Sequence, residues 1–134
     1  MSTSKIIYKN NLRTEAQHIA SGQKIITDAP LDNNGKGEAF SPTDLVATAL
    51  ASCMITIMAI AAEKNGIDIS ETSASVKKIM GTNPRTISDV VIKITMSKDL
   101  ALKDRKRLEK AALACPVHKS LHPKMNKEIT FSYS

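Results

Sequence analysis

The sequence predicts an α+β fold in a single domain that spans residues 1–134. One observation behind this prediction is an uncharged, alanine-rich apolar run from Leu45 to Ala62, which is typical of a buried helix. The other is a set of short segments on both sides of that run, in which apolar and polar residues alternate as they do in half-buried strands. No repeat, linker or low-complexity tract divides the chain, so one domain accounts for its length.

Three strands are predicted before the apolar run, over residues 5–10, 13–20 and 23–28, with a turn at Ser21-Gly22. Residues 29–40 follow as the longest loop, because Pro, Asn and Gly are concentrated there. This loop lies directly before the apolar helix.

The helix has clear start and stop signals. Ser41 is the predicted N-cap, Pro42 suits the first helical position, and Asp44 stands where a capping box places its acid. The helix should end at residue 64 or 65, with Gly66 as the C′ residue. Its length of about 35 Å and its apolar surface mean that it must be covered on most sides.

After the helix, strands are predicted over residues 67–79 and 87–97. Residues of the second strand alternate so that one face is apolar: Val90, Ile92, Ile94 and Met96. Asp99 is the predicted cap of a second helix over 100–114, whose inward residues are Leu102, Leu108, Ala111 and Ala112. Pro116 ends that helix, a short turn over 117–121 follows, and 128–133 forms the last strand. The predicted order is β-β-β-α-β-β-α-β.

Composition argues against several classes of function. The chain carries 19 basic and 13 acidic residues, for a net charge of +6, but the charges are spread along it and the densest basic stretch, 103–110, is interrupted by acids. Two Phe, two Tyr and no Trp leave few stacking groups, so nucleic-acid binding is not predicted. The N-terminus has no apolar signal-peptide core. Polar Thr48, Ser52 and Thr56 favour a buried helix of a soluble protein over a membrane span. Without an export signal, a reducing cytoplasmic location is expected.

Two cysteines are the most informative residues. Cys53 lies within the apolar helix, and Cys115 precedes Pro116 at a predicted helix junction, where backbone N–H groups can stabilise a thiolate. In a reducing compartment two cysteines argue against a static structural disulfide. A thiol redox reaction would use such a pair if the sulfurs meet, which the sequence alone leaves open.

A thiol buried like Cys53 reacts only if a cation favours its ionised form. Among four arginines (Arg13, Arg85, Arg105 and Arg107), Arg13 is the best candidate, since it lies on an early strand that must pack near the helix. A buried arginine needs a carboxylate to hold it, and the acids at the helix ends are Asp44 and Glu63.

Two other interpretations compete with redox chemistry. Cys53 alone is compatible with a packing role, because free cysteine is among the most buried residue types. The spacing Cys115-x2-His118-x3-His122, with Cys53 as a fourth ligand, resembles a zinc site. However, both histidines flank a short turn and are more simply surface groups, so no metal is predicted.

The strings Asp28-Ala-Pro, Ser41-Pro-Thr-Asp-Leu-Val-Ala-Thr-Ala-Leu-Ala-Ser-Cys53 and Ala114-Cys-Pro-Val-His-Lys-Ser-Leu121, together with the glycines at 35 and 37, resemble the OsmC/Ohr family of thiol peroxidases. The resemblance implies reduction of organic hydroperoxides, and less efficiently of hydrogen peroxide. Cys53 would be the peroxidatic and Cys115 the resolving cysteine, joined in an intramolecular disulfide, with Arg13 as the activating cation. The resemblance further implies an external dithiol reductant, no cofactor, and an intertwined homodimer with active sites at the subunit interface.

One departure from the family pattern concerns the acid that holds the arginine. Family members have Glu where this chain has Thr43, and the nearest acid is Asp44. On a regular helix Asp44 and Cys53 lie on opposite faces, so Asp44 enters the candidate site without simply inheriting that role.

Two classes of function follow: a cysteine peroxidase, or a non-catalytic relative that binds a small apolar ligand or a metal through Cys53, Cys115 and His118.

The homodimer is also expected from the residues themselves. The apolar helix needs more cover than the predicted strands and one short helix can give. Few aromatic residues make an isolated core thin. Alanines along the helix would let two copies pack closely: Ala47, Ala51, Ala59 and Ala62.

Overall fold

The computed structural model describes all residues 1–134, which form two compact units, residues 1–46 and 47–134. The first unit holds the strands β1 (Ser4–Tyr8), β2 (Arg13–His18) and β3 (Lys24–Asp28) and a short 3₁₀ turn at Leu31–Asn33. The helix α1 (Pro42–Lys64) begins in the first unit and continues into the second. The remaining elements are β4 (Ser73–Met80), β5 (Ile87–Met96), α2 (Leu102–Leu113), α3 (Pro116–Ser120) and β6 (Asn126–Tyr133). The α+β prediction is confirmed, and the single-domain prediction stays a prediction.

In the first unit, β1, β2 and β3 form an antiparallel meander in that order. The loop that follows folds back on itself, since the N–H groups of Gly35 and Gly37 donate to the carbonyls of Pro30 and Ala29. A Cβ on Gly35 would lie 1.7 Å from the carbonyl oxygen of Ala29. Only glycine fits this close approach, so Gly35 is required by the fold of the predicted loop.

Both ends of α1 agree with the sequence signals. The backbone N–H of Asp44 donates to the Ser41 hydroxyl at 3.0 Å, and the Asp44 carboxylate accepts from the Ser41 N–H at 2.9 Å, which is a complete capping box. At the other end Gly66 has a φ of +65°, and the N–H groups of Gly66 and Ile67 donate to Glu63 and Ala62. This is the Schellman pattern. The helix bounds are therefore set by local chemistry.

The second unit has a three-stranded sheet with β5 in the centre. β4 pairs with β5 antiparallel, whereas β6 pairs with β5 in parallel after the crossover through α2 and α3. The predicted apolar face of β5 is confirmed, because all four of its residues are buried. They form one core with residues of the helices: Ala47, Leu50, Ala51, Met54, Met58, Ala62, Leu108, Ala112 and Cys115.

Three local predictions in this unit were wrong: the cap of α2, the inward position of Leu102 and the strand at residues 67–72. Ala101, not Asp99, holds the N-cap of α2, where its carbonyl accepts from Asp104 and Arg105, and Leu102 in the first turn is 72% exposed. Residues 67–72 are not a strand. Asp68 accepts the N–H of Ser70, a local bond that competes with strand pairing.

α1 is covered on one side only within this chain. Its buried residues recur every three to four positions, while Val46 and Ile60 are 36% and 47% exposed. By length and composition alone α1 could cross a membrane, a test that the core helices of soluble proteins also pass. Its apolar surface thus exceeds what the single chain buries.

Candidate functional site

The structure brings the two cysteines of the second unit together. Both are free thiols; Cys53 is half-buried on α1 and Cys115 is completely buried at the start of α3. Cys53 packs against the buried core cluster that includes Cys115, and the pKa of Cys115 is raised by burial and also by its interaction with Cys53. The two thiols therefore belong to one packed core.

Cys115 is held by the helix junction that the sequence predicted. It is the N-cap of α3, and its Sγ accepts the backbone N–H of His118 at 3.3 Å. Pro116 occupies the first position of the helix, where its missing N–H costs nothing. Because of this arrangement, the sulfur is buried and yet has a polar partner.

Burial is the largest influence on the Cys115 thiol, and it raises its pKa. The backbone N–H groups of His118 and Val117 act in the opposite direction, since they favour the thiolate, whereas Cys53 raises the pKa further. The net effect is upward. Cys115 is accordingly a neutral thiol at neutral pH, which makes it a poor candidate for the nucleophile that reacts first.

In the first unit, Arg13 is held by an acid other than the two predicted candidates, Asp44 and Glu63. Arg13 on β2 lies opposite Asp28 on β3, and its Nε and Nη2 atoms donate to the two carboxylate oxygens at 2.7 and 2.9 Å. The Glu38 carboxylate accepts from Nη2 at 3.4 Å, and the Glu38 N–H donates to Asp28 at 3.1 Å. The guanidinium is thus fixed by a bidentate pair that is itself anchored.

The side chain of Asp28 is fully buried. Its pKa is lowered, first by the hydrogen bond from Arg13 and then, against the cost of burial, by the N–H of Glu38. The pKa of Arg13 is raised, mainly by the same bond. Both partners are therefore charged over the whole neutral range.

Asp28 could have been found from the sequence. The predicted strands 13–20 and 23–28 form a hairpin, which places Arg13 and Asp28 at its open end, on neighbouring strands. Asp44 bonds to the backbone of Ser41 in the helix cap, and its role in a catalytic site stays a prediction. Glu63 lies exposed in the last turn of α1.

The histidines are not gathered into a metal site. No group of three or more His, Cys, Asp or Glu side chains is arranged to hold a metal ion. Burial and the nearby Lys127 lower the pKa of His118, while the His18 ring bonds to the Ser21 hydroxyl at 2.7 Å on an exposed turn. The spacing of Cys115, His118 and His122 thus does not form a donor set.

Comparison with known proteins identifies the family. The family model for OsmC-like proteins matches residues 35–130, which include α1 with Cys53 and the Cys115 junction. This chain belongs to the OsmC-like family. Among curated proteins, none matches it significantly.

Solved structures of OsmC-like and related proteins share the fold. A candidate osmotic stress induced and detoxification response protein from Psychrobacter arcticus 273-4 is 52% identical, with a TM-score of 0.94 over 98% of this chain and 96% of that one. The organic hydroperoxide resistance protein OsmC of Legionella pneumophila is 16% identical, with a TM-score of 0.73 over 98% and 96% of the chains. An organic hydroperoxide resistance protein of Elizabethkingia anophelis is 14% identical, with a TM-score of 0.76 over 100% and 98%.

Proposed function

We propose that this OsmC-like protein is a cysteine-based peroxidase that reduces organic hydroperoxides and, less efficiently, hydrogen peroxide. The observation that carries the proposal is the pair of free thiols in one core, with Cys53 accessible and Cys115 buried beside it. Family membership supports it, since relatives with the same fold are named organic hydroperoxide resistance proteins.

The chemistry begins at the more exposed sulfur. The Cys53 thiolate attacks the terminal peroxide oxygen, the O–O bond breaks, and the leaving alkoxide takes a proton to become an alcohol. Cys53 is left as a sulfenic acid, which Cys115 attacks to form the disulfide with loss of water. An external dithiol restores both thiols, so the cycle needs no cofactor. We place this cycle in the cytoplasm, where reduced dithiols are available.

Counting thiols tests this proposal. Reduced protein mixed with one equivalent of cumene hydroperoxide should lose both of its free thiols, and hydrogen peroxide should do so more slowly. A buffer-treated sample sets the baseline. If both thiols survive the organic hydroperoxide, the protein is a non-catalytic relative.

We propose that Arg13 is the cation that activates Cys53. Asp28 would be the residue that positions Arg13, in place of the acid that family members carry at the position of Thr43. Support comes from the resemblance and from the fixed, charged state of the Arg13–Asp28 pair. A fixed guanidinium loses little entropy when it pairs with a thiolate. Asp44 remains a proposed second acid of the site.

Removing the cation should shift the pH at which Cys53 is alkylated. We expect Arg13→Met to raise that midpoint by about 1 pH unit, because an opposite charge favours the thiolate. Asp28→Asn should give a smaller rise, since Arg13 keeps its charge and loses its anchor. Arg107→Met is the control, because Arg107 donates to Asn65 on an exposed surface. An unchanged midpoint in Arg13→Met would assign activation to another group, such as Arg85 or a partner-chain residue.

We also propose that the working unit is an intertwined homodimer. Isoleucines are exposed on both faces of the first sheet: Ile6 and Ile25 on one, Ile7 and Ile26 on the other, each 45% exposed or more. Together with the open side of α1, these residues form more apolar surface than a monomer normally leaves in water.

Sedimentation at low micromolar concentration should therefore show a species of twice the 14.5 kDa chain mass. Dilution should cause unfolding together with dissociation, as in obligate dimers. A stable, folded 14.5 kDa monomer that consumes peroxide would contradict the dimer.

A further inference from the structure

We infer that the external reductant opens the disulfide by attacking the sulfur of Cys53 in preference to that of Cys115. This inference rests on the proposed function, because it concerns how the oxidised site is recycled. It starts from the unequal exposure of the two thiols, half-buried for Cys53 and 0% for Cys115.

Access decides between the two sulfurs. Thiol–disulfide exchange needs the attacking thiolate to reach one sulfur directly, and its rate depends on which sulfur is open to it. Cys115 belongs to the core cluster with Leu108 and Ala112 of α2, and Cys115 is itself the N-cap residue of α3. An external thiol would have to displace packed core atoms to reach it, whereas Cys53 is partly open.

Burial raises the pKa of Cys115, which by itself slows its departure, so access and not leaving-group quality decides which sulfur is attacked. When the bond breaks, the electron pair goes to the Cys115 sulfur, where the N–H of His118, 3.3 Å away in the reduced protein, can stabilise it. Because burial raises the pKa of this thiol, it then takes a proton from solvent and becomes neutral. A neutral thiol attacks the new mixed disulfide slowly, which limits the back reaction.

The steps balance with a dithiol as the two-electron donor. Its first thiolate forms a bond with Cys53, the Cys53–Cys115 bond breaks, and Cys115 leaves as a thiol. The second thiol of the reductant loses its proton and attacks the reductant sulfur of this mixed disulfide. Cys53 departs as the thiolate, and the reductant ends as a disulfide.

A monothiol traps the first step, since it has no second sulfur to finish the reaction. Wild-type protein is oxidised with diamide, exposed briefly to 2-mercaptoethanol, quenched in acid and mapped by mass spectrometry. We expect the 2-mercaptoethanol adduct on Cys53 in at least a tenfold excess over Cys115. The same oxidised protein in guanidinium chloride is the control, and there the excess should vanish because both sulfurs are exposed.

Diamide separates this inference from the peroxidase proposal, because it forms disulfides without peroxide chemistry. A protein that forms the disulfide with diamide but not with hydroperoxide would refute the peroxidase and still show the Cys53 preference. Equal adducts in the native protein, or an excess on Cys115, would overturn the inference. Failure of diamide to join the two cysteines would overturn it as well.

Discussion

Replacing Cys53 with serine is expected to lower hydroperoxide consumption by about a thousandfold or more. A serine hydroxyl is not ionised at neutral pH, and no neighbouring base in the proposed mechanism would activate it. The half-buried Cys53 is the sulfur that a substrate can reach, whereas Cys115 is enclosed in the core. Stopped-flow measurement of peroxide loss over a single turnover checks this result.

Cys115→Ser is the matched control for that experiment, because it removes the other thiol of the pair by the same substitution. It should consume one peroxide per chain at a near wild-type rate in the first turnover. Far-UV circular dichroism confirms that both variants fold. If Cys53→Ser kept its activity while Cys115→Ser lost it, the two roles would be exchanged.

The second large effect is expected in Cys115→Ser after the first turnover. Without a resolving thiol the sulfenic acid on Cys53 persists, so excess hydroperoxide should drive it to sulfinic acid. Turnover with a dithiol should fall at least about tenfold, since the disulfide is the form that a dithiol reduces rapidly. Intact-mass spectra after excess peroxide should show two added oxygens on Cys53 in this variant and a disulfide in the wild type. A Cys115→Ser protein that resists overoxidation and turns over normally would refute the resolving role.

The pH dependence of disulfide closure follows from the environment of Cys115. Burial raises the pKa of its thiol, so the thiolate fraction at neutral pH is small and grows with pH. The rate of closure should therefore still be rising at pH values where an ordinary cysteine is largely ionised.

Local chemistry made most of the fold predictable. The Ser41–Asp44 capping box, Gly66 and the alternation along β5 act over a few residues, and the structure contains all three. The start of α2 was predicted wrongly because its N-cap residue, Ala101, makes no side-chain cap hydrogen bond and so leaves no capping signal in the sequence.

Long-range features of the site were harder to predict. Cys53 and Cys115 are brought together by tertiary packing, so their spacing along the chain carries no information about their contact, and only the family resemblance implied it. The acid beside Arg13 was not predicted, because the acids at the helix ends, Asp44 and Glu63, were expected to hold it. Strand register placed Asp28 opposite Arg13 instead.

The central claim is that Cys53 and Cys115 form one redox-active pair, and peptide mapping after a single equivalent of organic hydroperoxide tests it most directly. The account predicts a chain that has lost two hydrogens and a Cys53–Cys115 cross-linked peptide that disappears on treatment with a dithiol. Only intermolecular disulfides, or a Cys53 sulfinic acid with Cys115 still free, would contradict it.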